Sequence, residues 1–122
     1  MKTILMTALF IALHIGICTA EESYVIPPTD MTRGYVPVIS DEMMEECVKI
    51  YNKSKWLSEK LESTHVNQYS QADVDRYNRK VHQVNSMTDW FNKNCAGKQS
   101  YSACEAAQKL NREEGRPVQP CR

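Results

Sequence analysis

Cysteine is the residue type of this chain with the most chemistry open to it, because thiols form disulfides, bind metals and act as nucleophiles. The sequence has five cysteines. Four of them, Cys47, Cys95, Cys104 and Cys121, follow the N-terminal region, and no two of these have CxxC spacing. Metal sites favour closer ligand pairs with histidine nearby. An even number of widely spaced cysteines therefore predicts two disulfides and no metal site.

The remaining side chains suggest no reaction. His65 and His82 have no nucleophile and carboxylate arranged around them in the sequence, as a catalytic triad would require. Neither a glycine-rich phosphate loop nor a haem-attachment motif is present. Residues 52–54, Asn-Lys-Ser, match a glycosylation sequon, which we interpret as a chance match inside a helix. We therefore predict no catalytic residue, no metal ligand and no cofactor.

The first twenty residues have the pattern of a cleaved secretory signal peptide. A lysine follows Met1, residues 4–17 are almost continuously apolar, and residues 18–20 end the segment with small side chains. The apolar run is short for a membrane span, so a retained anchor is the alternative. Cleavage leaves about a hundred residues that begin near Glu21, and it removes Cys18. We expect an exported protein with no stable membrane span, in a bacterial periplasm more readily than secreted from a eukaryotic cell.

The charge balance argues against nucleic acid as a partner. The chain has 15 Lys and Arg residues against 15 Asp and Glu residues, and signal cleavage removes one of the lysines, Lys2. A nearly neutral protein lacks the sequence-independent attraction to phosphates that basic proteins use.

Residues 21–39 read as an extended arm, because Pro27, Pro28 and Pro37 oppose helix formation. The arm contains an imperfect repeat, SYVIPPTD at 23–30 and GYVPVISD at 34–41. Its two Tyr-Val segments could lie in a groove, either of this chain or of a partner. The alternative is a disordered terminus without a function.

Residues 40–122 predict a small, all-α, disulfide-stapled domain. Apolar residues at coiled-coil-like heptad spacing predict helices at about 41–66 and 71–96, and a short connection makes these an antiparallel hairpin. A third helix is expected at about 102–111. Serines that can cap a helix N-terminus precede all three, at Ser40, Ser70 and Ser102.

Matching the heptad layers of the hairpin places Cys47 opposite Phe91, one layer from Cys95. That offset adds about 6 Å along the axis to a helix separation of about 8–10 Å, too far for a disulfide. We therefore expect, with a slight preference, the pairs Cys47–Cys104 and Cys95–Cys121. All three connectivities remain open at this point.

The same alignment places two groups of side chains on opposite edges of the hairpin. The first, the tryptophan edge, is a candidate partner-binding surface, since exposed aromatic residues with basic neighbours are typical of interfaces. Alternatively, the arm or the third helix covers one of its tryptophans. It consists of Trp56, Trp90, Met87, Lys53 and Lys60.

The opposite edge carries three asparagines that recur every seventh residue. It is a candidate polar groove for the arm or for a partner backbone, although a solvated helix flank is the simpler interpretation. We call it the asparagine edge, and it consists of Asn78, Asn85, Asn92, Tyr51 and His65.

These observations favour an exported, non-enzymatic binding protein that acts through a helical face on a protein partner. An inhibitor, an immunity-type protein or an assembly accessory factor would fit. The alternative is a structural homo-oligomer, in which two hairpins form a homodimeric four-helix bundle. A metal carrier or an enzyme is the least favoured class, since the sequence offers so little site chemistry.

Overall fold

The computed structural model describes residues 22–28 and 36–121, so the predicted signal peptide and the first two residues of the second Tyr-Val segment, Gly34 and Tyr35, lie outside the described residues. The described chain contains three helices, α1 (Asp41–Glu62), α2 (Gln71–Asn94) and α3 (Ala103–Glu113). Both α2 and α3 pack against α1, which is therefore the central helix. The all-α prediction of a hairpin with a third helix and two disulfides is confirmed.

The first two helices begin at their predicted caps. The Ser40 hydroxyl accepts a hydrogen bond from the Met43 N–H at 3.1 Å, and the Ser70 hydroxyl accepts one from the Asp73 N–H at 3.3 Å. These contacts satisfy amide groups that the first turn of a helix leaves unpaired. The side chain of Ser102 makes no such bond at the start of α3.

Helix α1 ends four residues earlier than the expected boundary at residue 66. The hydroxyls of Ser63 and Thr64 both donate to the Lys60 carbonyl, at 3.0 and 2.6 Å, and so satisfy a group that the helix end leaves free. Gly97 follows α2 with a φ of 70°, in the left-handed region that glycine adopts readily.

The two helices of the hairpin are offset by one turn from the expected alignment. The rings of Tyr51 and Phe91 lie 5.7 Å apart, and the hydroxyls of Ser54 and Thr88 are 3.3 Å apart. Tyr51 therefore takes the place opposite Phe91 that heptad matching assigned to Cys47. The physical reason is that heptad spacing fixes which face of each helix is apolar, and registers that differ by one turn bring the same faces together. The Cys47–Cys95 bond belongs to the offset register.

The disulfides join Cys47 to Cys95 and Cys104 to Cys121, with Cα–Cα distances of 5.8 and 5.7 Å. The expected pairs, Cys47–Cys104 and Cys95–Cys121, are wrong. The one-turn offset brings Cys95 to Cys47, and the C-terminal tail returns along α3 to reach Cys104. The first bond therefore fastens α1 to α2, and the second fastens the tail to its own helix.

The second packed face of α1 lies against α3 and the arm. Met44 and Val48 belong to the same buried cluster as Leu110 of α3 and Tyr24 of the arm. Alanines of α3 let its backbone approach α1 closely. The full cluster consists of Tyr24, Met44, Cys47, Val48, Cys95, Ala106, Ala107 and Leu110.

The segment before α1 and the tail after α3 are each held by hydrogen bonds to another part of the described chain. Val38 forms a parallel bridge with Gln99, in which the N–H of Ile39 donates to the Gln99 carbonyl at 3.0 Å. In the tail, the side chain of Gln108 donates to the Gln119 carbonyl at 2.8 Å. Within the described residues, no helix has the length and apolar character needed to cross a membrane.

The two disulfides should contribute unequally to stability. The Cys47–Cys95 bond spans 48 residues and the Cys104–Cys121 bond spans 17. Loop-closure entropy then gives about 4 and about 3 kcal/mol respectively. Replacing Cys47 and Cys95 with Ala should lower the Tm by about 4–8 °C more than replacing Cys104 and Cys121. Thermal melts followed by circular dichroism measure this; an equal or reversed order would contradict it.

Candidate functional site

An extended segment of the arm, residues 22–28, lies across α1 and α3 and contacts both helices. We call it the arm segment. Its Tyr24 is only 1% exposed and is the largest of the fully buried side chains. The first Tyr-Val segment therefore lies in a groove, as one of the two interpretations expected, and the groove belongs to its own chain.

Asn111 of α3 holds the backbone of Tyr24 at two points. Its side-chain oxygen accepts a hydrogen bond from the Tyr24 N–H at 2.7 Å, and its side-chain nitrogen donates to the Tyr24 carbonyl at 3.0 Å. A neighbouring β-strand would offer the same donor and acceptor to an extended residue. Asn111 is 1% exposed, so water does not compete effectively for these bonds.

Asn52 of α1 holds the next residue in the same manner. Its side-chain oxygen accepts from the Val25 N–H at 3.0 Å, and its side-chain nitrogen donates to the Val25 carbonyl at 2.8 Å. The same nitrogen also donates to the Val48 carbonyl one turn earlier, at 2.7 Å, which fixes the orientation of the amide. We refer to Asn52 and Asn111 together as the asparagine clamp.

The ring of Tyr24 occupies a socket formed by Trp56 and Arg116. Trp56 meets it edge to face, with ring centroids 4.9 Å apart. The Arg116 guanidinium carbon lies 4.4 Å from the Trp56 ring centre and 5.5 Å from the Tyr24 ring centre, within the range of cation–π attraction. Arg116 also donates to the Glu22 carbonyl at 2.7 Å. The socket therefore recognises both a ring and a backbone oxygen.

Glu114 completes the polar end of the socket. It accepts a hydrogen bond from the Tyr24 hydroxyl at 2.7 Å and another from Arg116 at 2.8 Å. Burial raises the pKa of the Tyr24 phenol to about 12, and the hydrogen bond to Glu114 adds to the rise. The hydrogen bond from Tyr24, followed by that from Arg116, lowers the pKa of the Glu114 carboxyl. The phenol thus stays neutral and the carboxylate charged over a wide pH range.

The tryptophan edge is partly used by the fold. Trp56 is half-buried beneath Tyr24 and Arg116, as the arm-covering alternative expected. Trp90 is also half-buried and packs against the core cluster. Lys53 and Lys60 are exposed, and Met87 is half-buried.

The asparagine edge does not form one groove. Asn78, Asn85 and Asn92 are all exposed. Asn92 and Tyr51 line the same shallow depression beside Phe91, but the other two asparagines do not. His65 lies in a different depression, near the loop that joins α1 to α2. The regular spacing therefore marks an exposed helix flank, and its use as a binding site stays a prediction.

The asparagines that do organise a groove were missed in the sequence. Asn52 is 0% exposed and both of its donor bonds go to backbone carbonyls, so the sequon at residues 52–54 is inaccessible in the folded chain. One signal was available: Met44, Val48, Asn52 and Trp56 recur every fourth residue, which marks a second face of α1. Asn111 directly follows the buried Leu110 in α3.

The chemical capacity of this site is recognition of an extended backbone and an aromatic ring. Among residues 22–28 and 36–121, no three His, Cys, Asp or Glu side chains converge as metal ligands would. Comparisons with protein-family models, with curated proteins and with solved structures find no match to this chain. The geometry of the described residues is therefore the basis for a functional proposal.

Replacing Asn111 with Asp should destabilise the protein by about 3 kcal/mol, because a buried carboxylate would face the Tyr24 carbonyl in place of a donor. The matched control is the exposed triple variant Asn78→Ala, Asn85→Ala, Asn92→Ala, which should change stability little or raise it slightly, since alanine favours helices. Urea denaturation measures both. A mild Asn111→Asp effect, comparable with that of the control, would show that the clamp is not important for folding.

Stability should also fall at high pH through Tyr24. Because its pKa is raised from 10.0 to about 12 in the folded state, its contribution is complete below pH 10 and is lost as the pH rises towards 12. Denaturation curves at several alkaline pH values should therefore show a smaller loss in Tyr24→Phe than in the wild type. Tyr69→Phe is the control, since Tyr69 is 100% exposed. An identical pH dependence in all three proteins would refute the assignment.

Proposed function

We propose that this chain is an exported, non-enzymatic binding protein that captures a protein partner through the tryptophan edge of its hairpin. The observation that carries this proposal is the one-sided packing of α2. None of its 24 residues is buried, although an apolar stripe runs along it. Helix α3 packs on α1 and not on α2 in the described part of the chain. Such a helix has apolar surface available for a partner.

Some residues of the tryptophan edge contact the arm and support the fold, whereas others remain available to a partner. Trp56 belongs to the arm socket, so its replacement would damage the fold together with any binding surface. Lys53 and Lys60 are exposed and Met87 is half-buried, so these three are available to a partner. Aromatic and apolar side chains flanked by basic ones suit a partner surface that carries acidic groups.

Export is supported by the cysteines. Two disulfides in a small domain are typical of an oxidising compartment, since thiols in the cytosol are kept reduced. The signal-peptide pattern of the first twenty residues points the same way. We propose a periplasmic or secreted location, with a mature protein that begins near Glu21.

The second candidate is a structural homodimer, in which two hairpins pair their incompletely covered faces into a four-helix bundle. It rests on the same one-sided packing of α2. Light scattering over a range of protein concentrations separates the candidates, because a bundle dimer doubles the mass without any other protein.

Charge reversal at the tryptophan edge tests the favoured function. Lys53→Glu with Lys60→Glu should abolish capture of a partner from the exported fraction of the native host, because the attraction to an acidic surface becomes repulsion. The matched control is Lys55→Glu with Arg79→Glu, which changes the charge equally at exposed positions away from this edge. Both variants should keep the wild-type circular dichroism spectrum.

In the same experiment, mass spectrometry of this protein, purified from the exported fraction, identifies its N-terminus. Recovery of the same partner by the edge variant and by the control would refute the tryptophan edge as the binding surface. A purified protein that retains its first twenty residues would contradict the predicted cleavage.

A further inference from the structure

The arm segment is held in the way that a binding protein holds a peptide. Four hydrogen bonds join the asparagine clamp to the N–H and carbonyl groups of Tyr24 and Val25. Backbone groups are the same in every residue except proline, so these bonds select an extended conformation and no particular side chain. Of Tyr24 and Val25, only Tyr24 has its side chain enclosed.

The two residues that follow Tyr24 leave their side chains exposed, whereas the next residue, Pro27, is buried. Val25 is 39% exposed and Ile26 is 45% exposed, although both are large and apolar. Val38, which follows in the described chain, is 60% exposed. Within residues 22–28 and 36–121, half of the exposed large apolar side chains therefore belong to the arm: the set is Val25, Ile26, Val38, Tyr69, Tyr101 and Val118.

We propose that the groove between α1 and α3 is a peptide-binding site that also accepts the arm segment of a second copy of this chain. The product is a dimer in which each groove encloses the Tyr24 of the other copy. This goes beyond capture of a different protein by the tryptophan edge and does not depend on it.

Exchange of the arm preserves every contact described for it. Asn52, Asn111, Trp56 and Arg116 all act on residues 22–25, and Pro27–Pro28 follow on the side that leads to α1. A second copy offers the identical segment, so the bonds and the ring contact are re-formed without loss. Two crossing arms also bring a second set of exposed apolar side chains to the same surface, where Val25 and Ile26 can be covered.

The linker between the arm segment and α1 determines the protein concentration at which arm exchange is observed. A short linker gives the arm of the same chain an effective concentration on the order of millimolar. The arm of a second copy therefore competes poorly in the wild type at low concentration. It binds when the groove's own arm is disabled, or when the protein concentration approaches this effective concentration. Complementation between two defective copies is therefore the sharpest test at low concentration.

The test uses two full-length variants that are mixed. The receiver, Tyr24→Ala, keeps the clamp and loses its ring. The donor, Asn111→Asp, keeps the ring and has a damaged clamp. In the mixture, the donor's arm should fill the receiver's groove, so light scattering should show a dimer mass and the receiver's thermal transition should move upward. The control donor carries both substitutions, and with it neither change should occur.

A synthetic peptide of residues 22–28 tests whether the groove binds a free arm segment, independently of whether a second copy supplies it. It should bind the receiver, and its Tyr24→Ala version should bind more than about tenfold more weakly, because a buried aromatic anchor is lost. Peptide binding without a dimer in the mixture overturns the second copy as the occupant. No peptide binding to a folded receiver overturns the site itself.

The unmodified chain provides the decisive measurement where a variant does not fold. Isotope-labelled and unlabelled wild-type protein are mixed, unfolded with the disulfides intact and refolded at high concentration. Magnetisation transfer between the Tyr24 ring of one copy and the Trp56 ring of the other supports exchange. Transfer confined to single chains, with a monomeric mass throughout, overturns it.

Discussion

A buried carboxamide must find hydrogen-bond partners, and two such groups determine how this small domain is assembled. Asn52 and Asn111 have almost no contact with solvent, so each would be costly if its oxygen and nitrogen were unpaired. Both find those partners on the backbone of the arm. In the described chain, no buried side-chain nitrogen or oxygen lacks a hydrogen-bond partner. The arm is therefore part of the core, since without it two buried amides would lose most of their bonds.

That requirement explains why α1 lies at the centre. One face of α1 packs on α2 and is fixed by the Cys47–Cys95 bond. The other face carries Asn52 and closes over the arm together with α3. An ion pair between Glu45 and Lys109, at 2.8 Å, adds a weak exposed link between α1 and α3. The three parts of the fold thus meet at one helix, and each depends on a different kind of interaction.

The two proposals share Trp56 but otherwise use different parts of this arrangement. The region near the disulfide and the arm is well packed, whereas α2 contributes no buried residue and leaves apolar surface for a partner. The clamp recognises backbone and one aromatic ring, which is a general mode of peptide recognition. Surface capture and arm exchange are therefore independent, and a protein could perform either without the other.

The sequence by itself determined the class of the fold. Heptad spacing and serine caps are local signals, and they located three helices to within a few residues because they depend only on neighbours along the chain. Cysteine number predicted two disulfides. Ser40 and Ser70 cap as expected because a cap needs only the next turn of its own helix.

Only the tertiary structure decided the helix offset, the disulfide pairing and the site. Apolar stripes show which residues face inward but not which neighbour they meet, and alignments that differ by one turn bring the same stripes together. The regular asparagines of α2 are exposed, while Asn52 and Asn111 are buried. The four-residue spacing around Asn52 marks a packed face of α1, but the role of a buried asparagine depends on whether an extended backbone, distant in sequence, reaches its amide.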